Sequence, residues 1–235
     1  MSTYVLRARL APMALLILPA LLVIAVLSVP LDGWNSVWPV VGVAVLMLGA
    51  EVARDAGKRR QVELIRTWGG WPTTLALRYR GPTNRATVER RHAAMAAFLG
   101  PDFNLPSAEE EEGDPDSADD AYEVAVDAVR ARVASSSCPR LLAENASYGF
   151  RRNAYGLRIP GMVLAATSMV AASIALSVAE EGGGQPVGRF AVPILTAGIA
   201  LLFWWRIDGD WVRRAADSYV MCLFQCVETQ LAKPG

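Results

Sequence analysis

The chain has 235 residues, of which 53% are hydrophobic and 20% charged, with 23 basic and 23 acidic side chains and a mean hydropathy of +0.26. Zero net charge argues against a nucleic-acid binder, whose footprint is a strong basic excess. Apolar content this high beside so much charge requires the two to be segregated along the chain.

Segregation is visible from the first element onward. Leu10 to Val29 contains no ionisable residue, nor does Gly33 to Ala50. A bilayer core of about 30 Å takes about 20 helical residues, so both runs are predicted to span. Arg7 and Arg9 give the first run a basic leader, but a signal-peptide core has about 7–15 apolar residues and this run is longer, so it reads as an anchor. The second helix continues through LGAEVARDAGKRRQVELIRTWGG with no breaker before Gly69 and Gly70. At about 1.5 Å per residue, Glu51 to Trp68 would reach on the order of 25 Å beyond the membrane.

WPTTLALRYRGP reads as a short helix or turn bounded by Pro72 and the Gly81-Pro82 pair. In TNRATVERRHAAMAAFLGP, Thr83 or Asn84 is predicted to cap a helix whose Val88, Met95 and Leu99 share a face, and Gly100 with Pro101 ends it. His92, the one histidine, reads as a surface or packing residue. Asp102 to Asp127 holds eleven carboxylates and no Lys or Arg, so residues 102–120 are predicted to form a solvated acidic loop. Asp114, Asp116 and Asp119 miss the alternate-ligand register of a calcium loop, and no metal site is expected. Ser117 with Asp120 is predicted to start a helix carrying a Tyr122, Val126, Val129, Val133 stripe, which SSSCP breaks. A last insert helix runs from about Arg140 to Gly156.

Ile159 to Ala179 is again free of charge, and Phe190 to Trp205 is a shorter clean run that flanking Arg189 and Arg206 can extend by snorkelling. None of the four runs shows the polar stripe of a soluble bundle helix. The closing DWVRRAADSYVMCLFQCVETQLA is amphipathic, with Val212, Tyr219, Leu223 and Val227 near one face, and is expected to lie on the membrane or pair with another chain. The predicted fold class is an all-α integral membrane protein with two transmembrane hairpins flanking a helical cytoplasmic insert. Its divisions are a first hairpin over 1–54 (spans about 10–29 and 34–53), the insert over 55–158, a second hairpin over 159–206 (spans about 159–179 and 189–205) and a C-terminal helix over 207–235.

Charge orients this scheme, because cytoplasmic loops retain Lys and Arg. Arg7 and Arg9, the Arg54 to Arg60 cluster, Arg151, Arg152 and Arg158, and Arg206, Arg213 and Arg214 all fall on one side, whereas the two outer loops hold only Arg189. The expected location is a bacterial inner membrane with both termini cytoplasmic. Trp34 and Trp38 would sit at the outer interface and Trp204, Trp205 and Trp211 at the inner one. Cys138, Cys222 and Cys226 are then cytoplasmic, where disulfides are not expected. The four-residue spacing of Cys222 and Cys226 lacks a histidine or further cysteine to complete a metal site, and the Asn145-Ala146-Ser147 sequon is a chance match in the cytoplasm.

No phosphate loop, nucleophile elbow or paired metal motif is present, and no cofactor is expected. The densest polar cluster near the inner surface is Glu144, Asn145, Arg151, Arg152 and Asn153, where two arginines could clamp a lipid or nucleotide phosphate, or simply pair with acidic neighbours. The basic segment KRRQVELIR is expected to attract anionic lipid heads. Small residues at intervals of four on the third run, Gly161 and Ala165, then Thr167, Ala171, Ala175 and Ala179, form a helix-packing seam within the bundle or between copies. The spans lack the membrane-depth acids and bases of coupled transporters.

TWGGWPTT, RRHAAMAAFLG, EEEEGDPDSADDAYE and above all ENASYGFRRNAYGLR resemble a family of uncharacterised bacterial four-span membrane proteins, over about Arg66 to Arg158. Trp71 departs from that pattern, which has proline there. No activity is assigned to the family, so the resemblance implies architecture alone. That architecture resembles the four-span effectors of bacterial nucleotide-signalling defence. The expected function is a non-enzymatic interaction, sensing or effector module that self-associates in the bilayer and meets a cytoplasmic protein or ligand. The alternative is a membrane-interface enzyme acting on lipid or nucleotide phosphate through Glu144, Asn145, Arg151 and Arg152.

Overall fold

The computed structural model describes residues 6–26, 37–101, 103–133, 138–179 and 186–232, and every regular element among them is helical. A π-helical turn, Leu6–Leu10, leads into α1 (Ala11–Val26). There follow α2 (Val37–Trp68), α3 (Pro72–Leu75), α4 (Arg85–Leu99), α5 (Ala108–Gly113), α6 (Pro115–Arg132), α7 (Pro139–Gly156), α8 (Arg158–Ala179), α9 (Pro186–Trp205) and α10 (Gly209–Leu231). The chain forms two compact units, residues 1–61 with 149–212 and residues 62–148 with 213–235.

The first unit is apolar. In it α8 packs against α1 and α9. Gly161 lets Phe203 of α9 approach so closely that a Cβ would stand 2.7 Å from the ring, while Ala165, Ser168 and Ala172 continue the buried stripe. Of the four seam residues whose side chains are described, two are used within the chain: Gly161 and Ala165 face inward, whereas Thr167 and Ala171 face outward. The side chains of Ala175, Ala179 and Trp38, and all of Trp34, lie outside the described residues. The outward faces carry large apolar side chains, with Leu48 72%, Ile194 68%, Leu201 66% and Trp205 80% exposed. Among the described residues no single helix is long and apolar enough to cross a membrane, but two helix pairs, each broken by a short bend, pass that test together: Pro139–Gly156 with Arg158–Ile174, and Ala191–Trp205 with Gly209–Leu231.

The second unit has a conventional core. Leu77, Met95, Leu99, Tyr122, Val126 and Val129 are buried against one another, as the faces read from α4 and α6 anticipate. α2 runs unbroken to Trp68, and Gly69 (φ 80°) provides the left-handed turn that ends it. Asn84 is the cap of α4, accepting from the Ala86 N–H at 2.9 Å. Two expectations are corrected here. α10 does not reserve its apolar face for membrane or partner, because Val220, Leu223, Phe224 and Val227 fill the core of this unit. The acidic stretch is not a solvated loop. α5 opens with a reciprocal Ser107–Glu110 capping box, and α6 starts at Pro115 under Asp114, which accepts from the Ser117 N–H at 3.1 Å. Carboxylates at helix N-termini meet unpaired N–H groups and the positive end of the dipole, which offsets their mutual repulsion.

Candidate functional site

The ENASYGFRRNAYGLR phrase lies on α7, and the structure divides its polar residues between the units. In the apolar unit Asn153 is fully buried and its amide donates to the Ala8 carbonyl at 2.8 Å. Its Oδ1 accepts from Arg152 Nε and Nη2 at 3.1 and 3.0 Å, and Arg152 Nη1 reaches Gln61 Oε1 at 3.0 Å. Gly57 of α2 lies directly against this knot, since a Cβ there would be 2.8 Å from Asn153 Cα. One turn further on, a Cβ on Gly156 would be 2.8 Å from the Ala56 carbonyl oxygen. Arg151 donates to the Trp211 carbonyl at 3.0 Å and lies 5.2 Å above its ring, and Trp211 is buried against the chain.

Arg152 and Asn153 are therefore brought together, but as a latch between α2, α7 and the segment before α1, with Asn153 buried and engaged on both sides of its amide. Glu144 and Asn145 belong to the other unit. There Asn145 borders a cavity of about 280 Å³ with Arg130, Leu142 and Tyr219. Replacing Asn153 with alanine is expected to lower the stability of the detergent-solubilised protein by about 1–3 kcal/mol, read as a fall in the unfolding midpoint, because it leaves a buried carbonyl and part of a guanidinium unpaired.

A second polar constellation, absent from the sequence reading, occupies the helical unit. Only one of the four consecutive glutamates, Glu111, turns inward, and its side chain is 1% exposed. It accepts from the backbone N–H groups of Tyr79 and Arg80, both at 2.9 Å, from Tyr122 OH at 2.7 Å, and pairs with Arg80 Nη1 at 3.0 Å. Arg78 clamps Asp119 through two bonds of 2.8 and 2.6 Å, and Arg80 adds a third at 2.7 Å. His92 lies between the rings of Tyr79 and Tyr122, with centroids 4.9 and 5.4 Å away. Its Nε2 meets the Leu77 carbonyl at 2.9 Å; a carbonyl only accepts, so Nε2 carries the proton and Nδ1 faces Tyr79 OH at 3.5 Å.

The electrostatics follow from that geometry. Burial depresses the His92 pKa, opposed by the Leu77 bond and the Glu111 charge, so the ring is neutral. Burial alone would raise Glu111, but the Tyr122 hydroxyl, the two backbone N–H groups and the Arg80 charge outweigh it and hold the carboxyl below its ordinary range. Tyr122 is pushed strongly up, by burial first and by its bond to the Glu111 carboxylate second. With both Glu111 oxygens engaged and His92 enclosed by two tyrosines, the constellation works as a clamp holding α5 and α6 to the 77–80 turn. The missed signal was RYR at 78–80, whose cations answer an acidic run some 30 residues later.

The cysteine expectation is corrected as well. Cys138, just ahead of α7, is disulfide-bonded to Cys226 of α10 across 88 residues, with Cα atoms 6.2 Å apart. Cys222 is the buried free thiol, pushed up by burial. Among the described residues no group of three His, Cys, Asp or Glu is placed to hold a metal ion.

The chain matches no protein-family model, no curated protein and no solved structure. The phrases that carry the sequence resemblance have instead local physical roles: Gly69 ends α2, Asn153 latches α7, and Gly156 admits α2.

Proposed function

We propose that the protein is a multi-pass bacterial inner-membrane protein, its apolar unit in the bilayer and its helical unit in the cytoplasm, serving as a non-enzymatic interaction, sensing or effector module. The observation that carries the membrane part is the outward array of Leu48 on α2 and Ile194, Leu201 and Trp205 on α9, two helices of one unit. Water-soluble monomers seldom expose contiguous apolar area beyond a few hundred Å². Arg9 and Arg54, both paired with Glu51, lie at one end of these helices together with Arg158 and Arg206, as the positive-inside bias requires. The latch of Arg152 and Asn153 supports a scaffold over phosphate chemistry, since those groups are committed to α2 and Ala8.

A fusion tests this reading. A reporter enzyme active only outside the cytosol, inserted after Pro101 in the exposed turn that follows α4, is expected to stay silent while the protein sediments with membranes after an alkaline wash. An active reporter overturns the orientation, and recovery in the soluble fraction overturns the membrane assignment. Thr167 and Ala171, with Val163 and Val170, give α8 an outward face for pairing two copies in the bilayer. A monomer mass in mild detergent would remove self-association from the proposal.

A further inference from the structure

We propose that Cys138 and Cys226 are a redox-responsive pair in the helical unit, open as two thiols in the growing cell and closed as a disulfide when the cytosol becomes oxidising. This rests on the cytoplasmic placement proposed above. Disulfides that persist belong to oxidising compartments, whereas cytosolic ones are transient and act in sensing or catalysis. The geometry for closure is present, because the Cα atoms are 6.2 Å apart and Gln230 Nε2 lies 3.8 and 3.7 Å from the two sulfurs.

The two cysteines are not equivalent. Cys226 is buried in the core, while Cys138 is half-buried and lines the 280 Å³ cavity with Leu141, Asn145, Tyr219 and Leu223. An incoming small disulfide, of the oxidised glutathione class, therefore meets Cys138 first. The Cys138 thiolate attacks one sulfur of that reagent, forming a mixed disulfide and releasing one small thiol. The Cys226 thiolate then attacks Cys138 Sγ, breaks the mixed disulfide and releases the second small thiol. The two electrons lost by the protein sulfurs reduce the reagent, and the two protons leave on the released thiols.

Closure has a structural consequence. Leu141 and Asn145 come from α7, and Tyr219 and Leu223 from α10, so the bond ties together the two walls of the cavity. It also closes a long loop, which restrains the unfolded chain and favours the folded unit. Cys222, one turn from Cys226 on the same helix, is buried and stays outside the exchange, providing an internal count.

Thiol counting on the full chain tests the pair. Cells are quenched in acid, the chain is denatured, and free thiols are labelled with a maleimide-bearing polymer that adds visible mass. Of the 3 cysteines, all are expected to label in growing cells, and only one after exposure to a thiol oxidant. In membranes equilibrated with glutathione buffers, the ratio of closed to open form is expected to rise at least about tenfold over a window of about 30 mV. Cys138→Ala fixes the count at two in both states, and Cys222→Ser lowers both counts by one while leaving the response intact. A count fixed at three under oxidant, or fixed at one in growing cells, overturns the proposal. The reporter fusion separates the causes: a count of one with an active reporter means that the orientation has failed, and a fixed count with a silent reporter means that the switch alone has failed.

Discussion

Replacing Glu111 with alanine is expected to destabilise the helical unit by about 3–5 kcal/mol, the range for breaking a buried ion pair from one side. The substitution strands the N–H groups of Tyr79 and Arg80 and the Tyr122 hydroxyl, and it removes one of the two carboxylates that neutralise Arg80. Glu112→Ala, in the same acidic run but exposed, is expected to stay within about 0.5 kcal/mol of the parent. Equilibrium unfolding or amide exchange over α4 to α6 would separate the two. Equal effects would show that the clamp contributes nothing beyond its charge.

The clamp also sets a pH response. His92 is depressed in the folded unit, so its contribution is complete above its unfolded pKa of about 6.5 and is lost as pH falls below that value through the folded one. Glu111 is likewise depressed, and its contribution is complete above about pH 4.3 and is lost on further acidification through its lower folded pKa. Stability of the parent is expected to fall in two stages on acidification, the first below about pH 6.5. Glu111→Ala shrinks the lower stage to what the Ser107-bonded Glu110 contributes.

The second large effect is a reversal of sign between two glycines. Gly→Ala inside a helix ordinarily gains about 1 kcal/mol, and Gly198→Ala on α9, with nothing within 4 Å of the new methyl, is expected to show that gain. Gly156→Ala is expected to lose 1–3 kcal/mol or more by overpacking, since the methyl would stand 2.8 Å from the Ala56 carbonyl oxygen and the obstacle is backbone that no rotamer change can move. Thermal unfolding in detergent reads both. A gain at position 156 would mean that α2 and α7 do not cross as closely as described.

Local periodicity made much of this fold legible. The run from Glu51 to Trp68, the cap at Asn84 and the buried faces of α4 and α6 all follow from spacing and propensity within one helix. What periodicity does not reveal is which surface covers an apolar face, and the apolar side of α10 was assigned to lipid or a partner when Leu223 and Val227 are covered by the core of the chain's own helical unit. Glu111 was hidden for a related reason, because four adjacent glutamates look equivalent until Arg80 and Tyr122 select one of them. The Cys138–Cys226 pair depends on α10 lying beside the start of α7, which no spacing encodes. At the polar phrase the closeness of two arginines suggested phosphate, and the structure gives Arg152 and Asn153 the side chain of Gln61 and the backbone of Ala8 as partners.

Helices α2, α7 and α10 are each shared between the units, so the helical half cannot be excised with a single pair of cuts. A fragment spanning 62–148 would leave Val220, Leu223, Phe224 and Val227 behind and present an open hydrophobic trough to water. Any water-soluble version for crystallography or ligand screening has to be re-spliced, with residues 213–232 grafted onto the far end of that fragment. Truncation phenotypes at the C-terminus then report on the interior of the helical unit rather than on a dispensable tail.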